Sequence, residues 1–316
     1  MTGTLGVDTS NYTTSAAVYT SEQTAPIAVG RLLEVTSGRG LRQSDAVFAH
    51  IKNLPEVLPA AVAQFDGELI AVGVSDRPRD VEGSYMPCFL AGVSAATAAA
   101  SVLRVPLYRF SHQANHIAAA AYGAGKPELL NAPFLAWHLS GGTSELLLVQ
   151  PDDERIIRCE RIGGTSDLAA GQAIDRAGVL LGLQFPCGRA LDALSLQTHS
   201  PLSPAKLAVK GMEMSLSGLE NKTQQLVQAG EQPERIARFV LESVLSCVSR
   251  VTACALEHFG SMPVLCAGGV MCNTLIRAAM TKSFAAAFAP AVYSADNASG
   301  SAILAALKHQ RQKGNA

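Results

Sequence analysis

Two stretches of the chain share one plan: "TLGVDTSNYTTSAAVY" (Thr4 to Tyr19) and "FLAWHLSGGTSELLLV" (Phe134 to Val149). Each runs as an apolar strand, a tight turn of Ser, Thr, Gly or Asn, and a second apolar strand. Small residues at such a turn let backbone N–H groups approach an anion that bulkier side chains would keep away. Either stretch alone reads as a plain β-hairpin. The same pattern twice, about half a chain apart, predicts a duplicated two-lobed α/β fold with a phosphate loop in each lobe.

The intervening sequence supports mixed α/β structure. Residues 47–64 carry helical spacing interrupted by Pro55 and Pro59, and "LIAVGVS" (Leu69 to Ser75) is an apolar strand. "CFLAGVSAATAAASVLR" (Cys88 to Arg104) is a helix of small residues, suited to close packing on a sheet or to a partner. Ser111 is placed to cap the helix that follows it, and Gly123 with Gly125 to end it. Arg235 to Phe259 reads as a long amphipathic helix, leading into a strand, a glycine turn and another helix over Met262 to Met280. No linker or low-complexity tract divides the 316 residues, of which 48% are hydrophobic, so the expected lobes each have material for a core and the cleft between them is the natural ligand site.

Charge and cysteine usage narrow the classes of function. A net charge of −1 gives no overall basic field, so an RNA partner would need a local patch or help from another subunit. The seven cysteines are scattered and never form a CxxC pair, which suits free thiols in a reducing compartment. The start, "MTGTLGVDTS", has neither a basic nor an apolar leader region, and no stretch reads as an uncharged membrane span. The expectation is a cytoplasmic protein with no membrane partner.

Several residues are placed to do chemistry. In "SHQANHIAAAAYGAG", His112 and His116 stand at i and i+4, on one helix face, where two imidazoles can meet one ion. Without a Glu beside the first histidine this is not HExxH, and HxxxH is common enough that two ordinary helix residues is the more economical reading of the pair by itself. In "GGTSDLAAGQAIDRAGVLLGLQFPCG" (Gly163 to Gly188) a glycine turn precedes a helix bearing Asp175, and an acid followed by a glycine loop can hold a ribose beside a phosphate; Asp175 can equally pair with Arg176 or Arg189. Asn273 in "AGGVMCN" can read an amide or adenine edge, or the segment is a simple strand-to-helix turn. Asp296 is a helix cap or an oxygen ligand.

The order of these motifs is specific. "LGVDTS", "SHQANH", "HLSGGTSELLLV", the Gly163–Gly188 segment, "SLSGLENK", "CAGGVMCNTLIR" and "SADNASG" resemble, in sequence and spacing, the TsaD-like family of tRNA threonylcarbamoyladenosine synthases, once described as glycoproteases. The resemblance runs from about residue 4 to about residue 308. It implies a duplicated actin/Hsp70-like (ASKHA) fold with an interlobe nucleotide and metal cleft, the lobes being residues 1–110 with the C-terminal helix 297–316 packed back on them, and residues 111–296. It implies one divalent metal ion, iron or zinc, held by His112, His116 and Asp296, and an adenine nucleotide or acyl-adenylate site at Leu139, Ser140, Gly141, Gly142, Thr143, Asp175, Gly188 and Asn273. Asp8, Thr13 and Ser140 are the corresponding catalytic candidates. The implied activity is metal-assisted transfer of a threonylcarbamoyl group from threonylcarbamoyl-adenylate to N6 of the adenosine beside the anticodon of tRNA; neither a peptidase motif nor a nucleophile–base pair is present.

The chain departs from the family pattern at several positions. Tyr12 and Thr13 stand where acids follow the first turn, and Leu168 and Gln172 replace an aspartate and a glutamate. "SDRPRDVEGSYMPC" occupies the place of a glycine-rich segment, Thr143 that of a histidine, and Glu220 that of a lysine. These changes keep a second class in view: a catalytically altered nucleotide-binding subunit that dimerises with a related ASKHA-fold protein, with the Ala91–Arg104 helix as contact.

Overall fold

The structure, a computed structural model, describes residues 1–10, 12–23, 26–34, 41–294 and 297–314. It divides into two units: Met1–Ala132 with Gln150–Cys159 and Val292–Ala316, and Pro133–Val149 with Glu160–Ala291.

The first unit is built on a five-stranded sheet of order β3-β2-β1-β4-β5. Its strands are β1 (Thr2–Asp8), β2 (Thr13–Tyr19), β3 (Ile27–Leu32), β4 (Glu68–Arg77) and β5 (Leu107–Ser111). β1 and β2 form the first expected hairpin, paired from Thr4↔Tyr19 to Asp8↔Ser15, and β4 and β5 run parallel beside β1. Helix α1 (Gln43–Val62) follows β3, α2 (Phe89–Leu103) follows β4, and α3 (His112–Gly123) follows β5. α1 runs unbroken through Pro55 and Pro59, which the sequence marks as interruptions. Both prolines are exposed, away from the buried face of α1 that carries Asn53, Leu54 and Val57.

The second unit repeats the order. Within a seven-stranded sheet, β12-β11-β6-β7-β8 matches the arrangement of the first sheet, and β10-β9 extend the far edge. These strands are β6 (Phe134–Leu139), β7 (Ser144–Asp152), β8 (Ile156–Thr165), β9 (Val209–Lys210), β10 (Glu213–Met214), β11 (Val264–Ala267) and β12 (Ala287–Phe288). β6 and β7 are the second hairpin, in register from Phe134↔Val149 to Leu139↔Ser144, and β11 is parallel to β6. Helices α4 (Ala170–Leu180), α5 (Gly188–Ser195), α6 (Ser217–Gln228), α7 (Pro233–Phe259) and α8 (Thr274–Phe284) complete this unit, and α9 (Ala291–Ser294) and α10 (Ser299–Gly314) close the chain. The twofold use of one strand order is the duplication that the paired hairpins suggested.

α7 is long and apolar enough to cross a membrane by length and composition, a property that its amphipathic pattern conceals. Its Ile236, Val240, Val244, Val248 and Val251 are buried in the core of the second unit with Trp137, whose indole N–H donates to Thr252 Oγ1 at 2.8 Å. Charges at Arg238, Glu242 and Arg250 lie along the same helix, as on a core helix with one wet face.

The division of units differs from a boundary at 110/111. α3 packs with α10, and both lie with the first sheet because glycines open the way: a Cβ on Gly6 would meet Ala298 O at 2.4 Å, and one on Gly73 would meet Ser301 O at 2.1 Å. Thr4 Oγ1 donates to Ala302 O at 2.7 Å, and the Ser75 and Ser301 hydroxyls are 3.1 Å apart, which ties α10 to β1 and β4.

Candidate metal and nucleotide sites

In the first unit the chain converges on Asp8, the last residue of β1. Its carboxylate is fully buried; Oδ1 accepts from the Ser10 N–H at 2.8 Å and from the Ser10 hydroxyl, and Oδ2 accepts from His112 Nδ1 at 2.9 Å and Asn115 Nδ2 at 3.1 Å. Burial alone would raise the Asp8 carboxyl, but the His112 charge and the hydrogen bonds of His112, Ser10 and Ser75 outweigh it and hold the group below the usual carboxylate range. An oxygen pair so occupied fixes its neighbours and has little left to give a reacting molecule.

α3 delivers His112 to that carboxylate. Ser111 caps the helix, its Oγ accepting from the Ala114 N–H at 3.1 Å while donating to Asp80 Oδ2 at 3.0 Å. The His112 and His116 rings meet edge to face with centroids 4.2 Å apart, as i,i+4 spacing requires. With Nδ1 taken by Asp8, Nε2 is the nitrogen through which His112 would meet a metal, the usual carboxylate–histidine arrangement around metal ligands. The donor set fits a divalent ion that prefers nitrogen, given a third ligand; no group of three His, Cys, Asp or Glu side chains occurs among the described residues. Asp296 lies outside those residues. Its neighbour Asn297 is held to the histidine helix, its carbonyl accepting from Asn115 Nδ2 at 2.7 Å and its Oδ1 accepting from the Ser299 N–H at 2.9 Å.

Thr9, just past Asp8, is tied to the start of α2. Thr9 Oγ1 donates to Cys88 O at 2.9 Å and accepts from the Gly92 N–H at 3.0 Å; a Cβ on Gly92 would stand 2.7 Å from that hydroxyl. Thr13 opens β2 opposite Leu32, and its N–H closes the turn on Ser10 O at 3.2 Å.

Of the other candidates, the second unit brings Gly141, Asp175, Gly188 and Asn273 to one cleft of about 350 Å³, which Arg189 and Asp192 also line. Ser140 shapes the hairpin turn: its N–H donates to Thr143 O at 2.8 Å and its Oγ accepts from the Thr143 N–H at 3.1 Å, leaving Gly141 and Gly142 facing open space. Leu139, just before the turn, is buried in the core. The N-terminus of α4 abuts the turn, the Gly171 N–H donating to Ser140 O at 3.2 Å, and any Cβ at Gly171 would lie 2.5 Å from that oxygen. On the other side, Gly268 takes φ +97° and passes so near Leu139 that a Cβ would sit 2.1 Å from its carbonyl.

Asp175 pairs with neither arginine that the sequence offers. It accepts from the Cys187 N–H at 2.8 Å, fixing the Pro-Cys-Gly turn that opens α5 at Gly188, while Arg176 pairs with Glu220 at 2.7 Å. Asn273 caps α8, its Oδ1 accepting from the Leu275 and Ile276 N–H groups at 3.0 and 3.1 Å. Its amide N–H donates to Asp192 Oδ1 at 2.9 Å, and Asp192 Oδ2 accepts from the Thr274 N–H and hydroxyl at 3.0 and 2.8 Å. The cleft is thus a meeting of the starts of α4, α5 and α8 with the Gly141–Gly142 turn and the Arg189 guanidinium. Helix starts present partial positive charge and Arg189 a full one, which favours a phosphate-bearing ligand, while the first N–H groups of α8 are already taken up by Asp192 and Asn273.

Sequence reasoning missed Asn115, Asp192 and Asp167. Asn115 had a signal, since an amide inside an alanine-rich helix is unfavourable unless the fold uses it. Asp192 had none. Asp167 accepts from the Leu168, Leu216 and Ser217 N–H groups at 2.6, 2.9 and 3.2 Å and from the Ser215 hydroxyl at 2.6 Å, pinning the start of α6 to the loop before α4. Burial would raise this carboxyl, and the Ser215, Leu216, Ser217 and Leu168 hydrogen bonds drive it well below its ordinary value. A folded-state pKa below the unfolded one means that the stabilisation is complete above the unfolded carboxylate pKa of about 3.9 and is lost as pH falls through the folded value. Asp167→Asn is therefore expected to lower the urea midpoint at pH 7, with the gap from the parent protein closing under strong acid.

Known proteins resemble the chain over most of its length. The tRNA N6-adenosine threonylcarbamoyltransferase family (TsaD) matches residues 36–302. A tRNA N6-adenosine threonylcarbamoyltransferase of Thermus thermophilus is 31% identical over 273 residues, covering 83% of this chain and 79% of its own. That of Chloroherpeton thalassium is 29% identical over 335 residues, covering 97% and 92%. Among solved structures, full-length HypF in its phosphate- and nucleotide-bound form superposes with a TM-score of 0.59 at 11% identity, over 98% of this chain and 55% of HypF. The fold is the duplicated actin/Hsp70 type, and the chain belongs to the TsaD family.

Proposed function

We propose that this protein transfers the threonylcarbamoyl group of threonylcarbamoyl-adenylate to N6 of the adenosine beside the anticodon of tRNA, with release of AMP. The observation that carries the reading is the family match over residues 36–302. Chemically, the N6 lone pair attacks the carbamoyl carbon, the bond from that carbon to the AMP phosphate oxygen breaks, and one proton leaves the nitrogen. The second-unit cleft is suited to the adenylate: helix starts and Arg189 attract its phosphate, Gly141 and Gly142 let the turn come close, and Asp175 and Asn273 hold the walls in place. Holding two substrates in line supplies much of the acceleration in a transfer of this kind.

His112, His116 and Asp296 would hold one divalent ion, iron or zinc, which when bound supplies Lewis-acid polarisation of the donor. The protein's own part is orientation: Asp8 fixes the His112 ring, and Asn115 joins Asp8 to the backbone after Asp296. Asp8 is thus a positioning residue in this reading, and Thr13 and Ser140 shape the two turns.

The tRNA partner is expected to engage with help from another subunit, because the chain has no net basic field. A related actin/Hsp70-fold protein suits the apolar groove of about 570 Å³ between α1 and α2, where Ile51 and Leu90 are exposed beside Leu58 and Ala95. The reaction is placed in the cytoplasm, where tRNA and reduced thiols are found.

The test supplies threonylcarbamoyl-adenylate and unmodified tRNA, with and without a candidate partner, and follows AMP and the modified nucleoside. Both products are expected, and His112→Ala is expected to abolish both while keeping the parent circular-dichroism spectrum. Equal inactivity of parent and variant, with adenylate binding intact in each, would favour a regulatory nucleotide-binding subunit.

A further inference from the structure

The charge balance of the second-unit cleft rests on a single side chain. Two carboxylates, Asp175 and Asp192, and one guanidinium, Arg189, stand among the residues that line it. Asp192 is occupied at the start of α8, its Oδ1 accepting from Asn273 Nδ2 at 2.9 Å and its Oδ2 from the Thr274 N–H and hydroxyl at 3.0 and 2.8 Å. Asp175 is occupied by the Cys187 N–H. Neither takes Arg189, which forms no ion pair or hydrogen bond among the described residues. Arg277, one turn into α8, is engaged elsewhere, its guanidinium 5.1 Å from the centroid of the Phe288 ring.

The backbone offers an anion less than the number of helix starts suggests. In α4 the first N–H groups are closed by the protein itself, Ala170 donating to Ser144 Oγ at 2.8 Å and Gly171 to Ser140 O at 3.2 Å. In α8 they are closed by Asp192 and Asn273. What stays open is the Gly141–Gly142 turn and the start of α5, where a Cβ on Gly188 would meet nothing within 4 Å. These present partial charges only. Arg189, in the first turn of α5, supplies the one full positive charge of the lining, set against two full negative ones. A neutral ribose or base needs no such cation, whereas a phosphate beside two carboxylates is repelled without it.

We infer that Arg189 is the specificity-determining residue of this cleft: it makes the cleft take nucleoside phosphates in preference to nucleosides, and, because the donor and the released AMP share that phosphate, it makes AMP a competitor of the donor. The identity of the donor rests on the transferase reading; the preference for phosphate does not.

Calorimetric titration with AMP and with adenosine separates the charge from the rest of the ligand. The parent protein is expected to bind AMP more tightly than adenosine, and added salt to narrow the gap, since Arg189 is exposed and its charge is screened. Arg189→Gln removes the charge and keeps a polar side chain. It is expected to weaken AMP about tenfold and to hold adenosine within about twofold, while Arg189→Lys keeps most of the preference for AMP; circular dichroism verifies the fold of each variant. In transfer assays AMP is expected to raise the KM for threonylcarbamoyl-adenylate at unchanged kcat, and its inhibition constant to rise in Arg189→Gln by the same factor as its dissociation constant. Equal losses for AMP and adenosine in Arg189→Gln would overturn the proposal by placing the side chain on ribose or base. An AMP affinity that the substitution leaves unchanged, or a parent protein that binds neither ligand, would overturn it as well, and AMP inhibition at unaltered KM would overturn the competition. Were the parent protein to transfer nothing, the transferase reading would fall, and the ratio of AMP to adenosine affinity would still decide the role of Arg189.

Discussion

Asp8→Ala is expected to destabilise the protein by about 3–5 kcal/mol and to weaken metal retention by about 10- to 100-fold, the ranges for breaking a buried charged pair and for removing the partner that orients a metal-ligating histidine. The substitution strands the Ser10 N–H and hydroxyl, His112 Nδ1 and the Asn115 amide in a buried place, each without its acceptor. Asp8→Asn, which keeps the volume and removes the charge, is expected to fall between parent and alanine variant. The pH dependence carries a sign. Because the folded carboxyl sits below its unfolded value, the contribution is fully present above the unfolded pKa of about 3.9 and is lost as pH falls through the folded value. Urea titrations of parent and variant at pH 7 and pH 4 read this directly; a loss under about 1 kcal/mol at pH 7 would show that the Asp8 network is not structural.

Gly300→Ala is the second large expected effect. A Cβ there would lie 1.8 Å from the backbone carbonyl of Asn115, where α10 crosses α3, and the same Asn115 accepts from the Ser301 N–H through its side chain at 2.8 Å. Neither helix can give way alone: α10 is tied to β1 and β4, and α3 holds His112 against Asp8. Overpacking usually costs about 1–3 kcal/mol, and with backbone as the obstacle a loss of about 3 kcal/mol or more is expected. Gly218→Ala in α6 has the opposite sign. The new methyl meets only Leu207 Cδ2 at 3.8 Å, so helix propensity should raise stability by about 0.5–1 kcal/mol. Thermal denaturation of the two variants side by side checks the pair, and a harmless Gly300→Ala would contradict the close crossing of α3 and α10.

Much of this was legible in the sequence because it depends on local pattern. The turn residues and strand alternation of Thr4–Tyr19 and Phe134–Val149 fixed both hairpins, and the observed registers begin at those same residues. The i,i+4 histidines and the Ser111 cap likewise follow from helix geometry. What escaped was long-range. Nothing near Asn115 in the chain shows that its amide will bridge residues 8, 297 and 301, and nothing near Asp192 shows that it will brace the cap of a helix some eighty residues later. Pro55 and Pro59 misled for a related reason. Proline weighs against a helix in isolation, but α1 is held by packing of its inner face, which includes Asn53, Leu54 and Val57. Asp175 offered two arginines by proximity, and tertiary folding gave it the Cys187 N–H instead.

The central claim is that a carboxylate-braced histidine pair serves as a metal centre, and metal stoichiometry tests it most directly. The protein is to be reconstituted with iron or zinc under anaerobic conditions, desalted and analysed by mass spectrometry, alongside His112→Ala, His116→Ala and Asp296→Ala, with circular dichroism to verify the fold of each. The account predicts about one equivalent in the parent protein and a loss of retained metal in all three variants, in keeping with the ligand count of such sites. Folded variants that hold metal as tightly as the parent protein would contradict it.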